Sequence, residues 1–245
     1  MSTPNPWPPQ AVAATSTGRV RNSNEDAYGC RPDRGIFIVC DGMGGAAGGE
    51  IASSMTVQSI LDRVTADSAA GPETLHEAIA EANRAVLERG DRDAGLYGMG
   101  TTLVVLLLRE GVAAAVIAHA GDSRCYLYRA RRLSRCTHDH SLVDEQLRLG
   151  TMTREEAERS PFRSVITRAI GTQQTVTEDM QEIETQPGDV FLLCSDGLTR
   201  EVDEDEIARV IGAGPDLDRI AHRLVDEANE AGGRDNVTCL LVRVP

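Results

Sequence analysis

The sequence predicts an α+β fold, with antiparallel β-sheets covered by pairs of helices. Three observations predict it. Short, unbroken apolar runs such as Ile36 to Cys40 and Leu103 to Leu108 read as strands buried on both faces. The three-residue link Arg109-Glu110-Gly111 joins two such runs, and so short a link makes antiparallel neighbours. Helical periodicity comes in two pairs, over 50–66 with 72–89 and over 203–211 with 217–229, which suits helices laid over sheets.

In chain order, residues 1–10 carry prolines at 4, 6, 8 and 9 and read as a flexible arm that cannot enter a sheet interior. A single domain follows over 11–245, and no internal linker divides it. Residues 12–17 read as a first strand and 27–35 as a loop leading to the apolar run at 36–40, where β-branched residues favour strand over helix. Gly42, Gly44 and Gly45 after that run allow a sharp turn and a close approach of backbone carbonyls to a ligand. In the helix predicted over 50–66 the apolar positions are Ile51, Met55, Val57, Ile60, Leu61 and Val64; Pro72 sits near the start of the next. Residues 101–108, 112–120 and 125–128 read as consecutive strands. The stretch 141–169 is polar, partly helical and without a long apolar run, so it reads as an excursion from the core, a mobile flap. Strands at 178–185 and 189–194, the second helix pair and a last strand at 236–244 complete the domain.

A chain of 245 residues buries roughly 70–75% of its unfolded surface and needs no disulfide or structural metal to fold. The six cysteines form no CxxC pair and fall mostly in apolar runs, the pattern of reduced thiols. With no signal peptide, lipidation motif or long apolar stretch, a cytoplasmic location is expected. The net charge of −13 argues against nucleic acid, whose phosphates the chain would repel. An anion-binding site here needs its own positive charge.

Several predicted strands end in acidic motifs: Asp41-Gly42, Asp196-Gly197 and Gly121-Asp122, with Asn24-Glu25-Asp26 and Arg234-Asp235-Asn236 beside others. Taken singly, each is a turn or a helix cap. Gathered at one sheet edge, they would need cations, because two carboxylates about 4 Å apart repel by roughly 4 kcal/mol at an effective dielectric near 20. All-oxygen donors without a histidine or cysteine set at metal spacing select Mg²⁺ or Mn²⁺ over zinc. Paired ions of this kind clamp a phosphoryl group.

Seven motifs stand in the order of a known family: Arg21 to Ala27 (RNSNEDA), Asp41 to Gly45 (DGMGG), Gly98 to Thr102 (GMGTT), Gly121 to Arg124 (GDSR), Arg168 to Gly171 (RAIG), Ser195 to Gly197 (SDG) and Arg234 to Thr238 (RDNVT). From about Thr15 to Val244 the chain resembles the metal-dependent protein phosphatases of type 2C, in particular their compact bacterial members. The resemblance implies two stacked antiparallel sheets flanked by helix pairs, an α-β-β-α sandwich. It also implies hydrolysis of phosphoserine and phosphothreonine in proteins by water activated at a two-metal centre, with a Ser/Thr kinase and its targets as partners and a monomeric protein. Carried over residue by residue, Asp41 bridges two ions of Mn²⁺ or Mg²⁺ and Gly42 binds through its carbonyl. Glu25 completes one shell, and Asp196 and Asp235 hold the other ion. Asp122 joins Asp196 at a weaker third site. Asp26 orients the attacking water, and Arg21 grips the substrate phosphate, where a guanidinium bonds two oxygens at once. Met43 stands where many eukaryotic relatives carry a histidine proposed as general acid, and methionine cannot donate that proton.

Three rivals compete with this reading. Cys194 to Arg200 fits C-x₂-G-x₂-R, the loop of cysteine-dependent phosphatases, and it follows a strand and precedes a predicted helix. Leu193 and Glu201, however, stand where that family has a histidine and a hydroxyl. An inactive phosphoprotein-binding module would lack a metal ligand, and none is missing. A two-metal nuclease conflicts with the charge. His138 and His140 read as packing or surface residues.

Overall fold

A computed structural model describes residues 7–245 of the chain. The apolar runs become strands of two antiparallel sheets. One has the order β1 (Gln10–Ser16), β11 (Val237–Arg243), β10 (Val190–Cys194), β7 (Arg124–Arg129), β8 (Arg132–Arg135). The other runs β2 (Asp26–Arg31), β3 (Ile36–Met43), β5 (Leu103–Leu108), β6 (Ala114–Ala120), β9 (Asp179–Glu184), with β4 (Gly100–Thr101) paired to the end of β3. Every strand pair is antiparallel.

The period of two along a strand sorts its side chains into layers. On β3, Phe37 and Val39 face the other sheet, while Ile36, Ile38 and Cys40 face α1 (Ala46–Ala66) and α2 (Pro72–Arg92). On β10, Phe191 and Leu193 enter the layer between the sheets, while Val190, Leu192 and Cys194 pack under α5 (Asp196–Thr199), α6 (Glu204–Ile211) and α7 (Leu217–Ala231). Burial on both faces explains why these strands carry no polar alternation. The result is the expected α-β-β-α sandwich.

Four expectations need correction. Residues 26–31 are not a loop but the edge strand β2, paired to β3 over its whole length. The strands at 103–108, 114–120 and 124–129 are consecutive in sequence but not in one sheet: β5 pairs with β6, whereas β7 pairs with β10. Helix α1 begins at Ala46, inside the glycine cluster, rather than at Glu50. The arm expected over 1–10 falls partly outside the described residues; within them Trp7 packs on the inter-sheet layer and Gln10 already pairs with Arg243.

Residues 141–169 leave the body as two short helices, α3 (Leu142–Arg148) and α4 (Arg154–Arg159), capped by Ser141 and by a Thr153–Glu156 capping box. Its ends are tied together by Leu142 N–H to Val165 O at 2.9 Å and Thr167 N–H to His140 O at 2.8 Å. Among the described residues no helix is long and apolar enough to cross a membrane.

Candidate metal centre

All the predicted acidic positions meet at one edge of the sandwich. Strands β3, β6 and β10 end there, carrying or leading into Asp41-Gly42, Asp122 and Asp196, and β2 and β11 begin there, at Glu25-Asp26 and Asp235. The β2–β3 register places Asp26 opposite Asp41. Backbone contacts hold the edge tight. A Cβ on Gly42 would lie 2.1 Å from the Gly49 carbonyl oxygen and 2.6 Å from that of Glu25, and one on Gly49 would lie 2.0 Å from Glu25 Oε2. Only glycine lets the start of α1, the end of β3 and Glu25 come this close. This also explains why the glycine cluster runs on into the helix.

Polar neighbours fix the backbone that carries these acidic residues. Asn236 accepts from Glu25 N–H at 2.8 Å and donates to the carbonyls of Thr17 (2.9 Å) and Ser23 (2.8 Å), locking the loop before β2. Thr102 Oγ1 accepts from Asp41 N–H at 2.9 Å, and Thr101 Oγ1 donates to Asp41 O at 2.8 Å. Ser195 Oγ donates to Asp26 Oδ2 at 2.7 Å while accepting from Thr238 N–H at 3.0 Å. Arg21 reaches Asp235 Oδ2 at 2.8 Å from the rim. The sequence reading missed these supports, although Asn236 and Thr238 lie in the RDNVT motif and Thr101 and Thr102 in GMGTT.

The electrostatics are those of a site built for cations. Burial, followed by repulsion from Asp26, Asp196, Asp122 and Asp235, pushes Asp41 far above the usual carboxylate range. Burial raises Asp196 in the same way, with Asp122 as its leading like-charge neighbour, and pushes Asp26 up to about 6. Asp122 and Glu25 are also raised, chiefly by burial. Asp26 Oδ1, Asp122 Oδ1 and Asp196 Oδ1 are buried without a hydrogen-bond donor, and unpartnered buried oxygens are costly unless something positive meets them. Hard divalent ions fit this oxygen set. A cleft of about 860 Å³ opens over Asp122, Asp196 and Asp235, walled on its far side by α3 and α4.

The cysteine rival fails on geometry. Cys194 is fully buried in the layer under α5–α7, burial drives its thiol pKa far up, and Arg200 turns to Asp196, Asp122 and Asp235 instead. A buried, protonated thiol is no nucleophile.

A second cluster has ligand-type residues but a different character. His119, His138, His140 and Asp179 converge behind the Gly121-Asp122 turn. His119 and His140 stack at 4.6 Å with nearly parallel rings, so their in-plane lone pairs do not converge on one ion. His140 Nδ1 accepts from Gly121 N–H at 3.2 Å, so its Nε2 carries the proton that faces Asp179 Oδ2, 3.3 Å away. His119 Nε2 donates to His138 O at 2.9 Å, and Arg168 supplies Asp179 with a cation at 2.7 Å. This is a satisfied polar network that ties the base of the flap to the Asp122 turn.

The profile of the protein phosphatase 2C family matches residues 15–241. The chain belongs to the protein phosphatase 2C family. It is a metal-dependent serine/threonine protein phosphatase. The serine/threonine phosphatase Stp of Listeria monocytogenes is 38% identical over 239 residues, covering 93% of each chain. The PstP/Ppp phosphatase of Mycobacterium tuberculosis superposes with a TM-score of 0.89 at 34% identity, covering 96% of this chain and 98% of that one. A PstP catalytic domain solved with two manganese ions superposes with a TM-score of 0.87 at 31% identity, over 96% of this chain and 97% of that one.

Proposed function

We propose that this phosphatase uses Asp41, the Gly42 carbonyl, Glu25, Asp196 and Asp235 to hold two ions of Mn²⁺ or Mg²⁺, with Asp122 and Asp196 forming a weaker third site. The observation that carries the reading is the set of buried, unpartnered carboxylate oxygens around Asp41. When bound, the ions supply a water of lowered pKa and positive charge against the phosphoryl oxygens. The chain's own residues do the rest. Asp26, with Oδ2 fixed by Ser195, leaves Oδ1 to accept a hydrogen bond from the attacking water and aim it. Arg21, held at the rim by Asp235, forks onto the phosphate oxygens and offsets the repulsion of an acidic chain. Met43 offers no proton to the leaving alkoxide, so none of these side chains is assigned as general acid.

The substrates are phosphorylated proteins. A Ser/Thr kinase that modifies the same targets, a cytoplasmic location and a monomeric state complete the proposal, supported by the family and by the modest aromatic content of three phenylalanines and one tryptophan. Residues 141–169, which wall the cleft with few buried side chains, are the proposed mobile flap and the place of substrate selection. The test is hydrolysis of a phosphothreonine peptide after chelation and after adding back Mn²⁺. Activity lost to chelator and restored by Mn²⁺ is expected. Activity that persists without metal would refute the metal centre.

A further inference from the structure

Arg200 stands in the carboxylate cluster without a part in the reading above. It follows α5 directly, four residues after Asp196, and its side chain folds back toward the metal edge. Nη2 pairs with Asp196 and lies 3.6 Å from Asp122 Oδ2, and Nη1 lies 3.8 Å from Asp235 Oδ2. The guanidinium thus faces both carboxylates of the weaker third site while Asp122 Oδ1 and Asp196 Oδ1 remain without hydrogen-bond donors. Among the described residues it makes no ion pair with Glu25 or Asp41.

We propose that Arg200 is a tethered counter-cation that competes with a divalent ion for the Asp122–Asp196 pair. The proposal rests on the carboxylate assignment above. A dication placed on these two carboxylates meets a guanidinium already within 4 Å of both, and in a partly dry site the two cations repel strongly. The fork of an arginine spans Asp196, Asp122 and Asp235 together, which a lysine ammonium does not. The side chain is 42% exposed and borders the open cleft, so it can leave the carboxylates without disturbing the core. The weakest metal site is therefore closed by the chain's own charge at low metal and opens only when an ion displaces Arg200. The ion on Glu25 and Asp41 binds without this competition, whereas the ion on Asp196 and Asp235 meets Arg200 as well, so loss of the arginine should also tighten that ion.

The experiment is Mn²⁺ titration of the full chain by isothermal calorimetry, with bound ions counted by electron paramagnetic resonance. The proteins compared are wild type, Arg200→Ala, Arg200→Gln and Asp122→Ala. Wild type should show two tight ions and one weak one. Both Arg200 variants should tighten the weak class at least about tenfold, because a unit charge within about 4 Å has gone. Asp122→Ala should lose that class. Arg200→Gln keeps polar contact without charge, so agreement between the two Arg200 variants assigns the effect to charge. A weak class that is unchanged or further weakened in both variants overturns the proposal, and so does its absence from every protein. Loss of the two tight ions from wild type would overturn the carboxylate assignment as well, which separates the two failures.

Discussion

Two groups of potential ligands lie on either side of the Gly121-Asp122 turn, and they differ in one respect that decides their roles. The histidine cluster spends its polar atoms on the protein: His119 on a carbonyl, His140 on a backbone amide and Asp179, and Asp179 on Arg168. The carboxylate edge leaves Asp26, Asp122 and Asp196 each with a bare buried oxygen. By residue type alone the histidines look as much like a metal site as the aspartates do. Satisfaction of hydrogen bonds, rather than the presence of ligand-type side chains, separates a structural network from a site that calls for ions.

The largest expected break in this comparison is Asp41→Ala, which removes the proposed bridge between the ions. Turnover of a phosphothreonine peptide should fall by far more than ~100-fold, the upper range for losing an outer-shell partner, while circular dichroism stays native. Near-normal turnover would remove the two-metal assignment. Asn236→Ala comes next. It frees Glu25 N–H and the carbonyls of Thr17 and Ser23, so Mn²⁺ affinity should weaken by about 10- to 100-fold, read by calorimetry. Gly42→Ala forces a methyl against two carbonyl oxygens and should cost about 1–3 kcal/mol of stability, seen as a lower denaturation midpoint with an unchanged m-value.

The smallest effect sharpens the contrast through pH. Burial, then the neighbouring His140, lowers His119 from 6.5 to about 4. Between those values the unfolded chain binds the proton and the folded one does not, so His119 favours folding above pH 6.5 and loses that contribution as pH falls toward 4. The effect is at most about 3 kcal/mol. Asp26 has the opposite sign in chelated protein. Its pKa is raised from 3.8 to about 6, so its contribution is full below 3.8 and is lost as pH rises through 6. Urea unfolding of wild type and His119→Gln in chelator, between pH 4 and 7, separates the two. The variant should lose less stability on acidification than wild type does, and identical pH slopes would show that His119 is not buried neutral.

How much of this was legible in the sequence depended on burial. Strands buried on both faces, such as β3, β5 and β10, announce themselves as unbroken apolar runs. The edge strand β2 does not, because DAYGCR is held by pairing to β3 and by Gly29 fitting under Val57 of α1. Apolar runs also carry no mark of which sheet they join. The switch of β7 to the second sheet depends on the turn at Gly121, whose φ is +114°. The acidic residues of the proposed centre were legible as strand-end motifs, and the sheets bring them to one edge. Their supports, Asn236, Ser195, Thr101 and Thr102, were not, because short polar side chains near strand ends look alike until their partners are in place. Arg200 was read only as the partner of Cys194, and the fold turns it to the opposite side, toward the carboxylates.

The most direct test of the central claim is a crystal of the protein grown with Mn²⁺ and measured for anomalous scattering. Two strong peaks within bonding distance of Asp41, with Glu25 and the Gly42 carbonyl at one and Asp196 and Asp235 at the other, are predicted, and none at His119, His138, His140 and Asp179. A peak among the histidines with none at Asp41 would contradict the account.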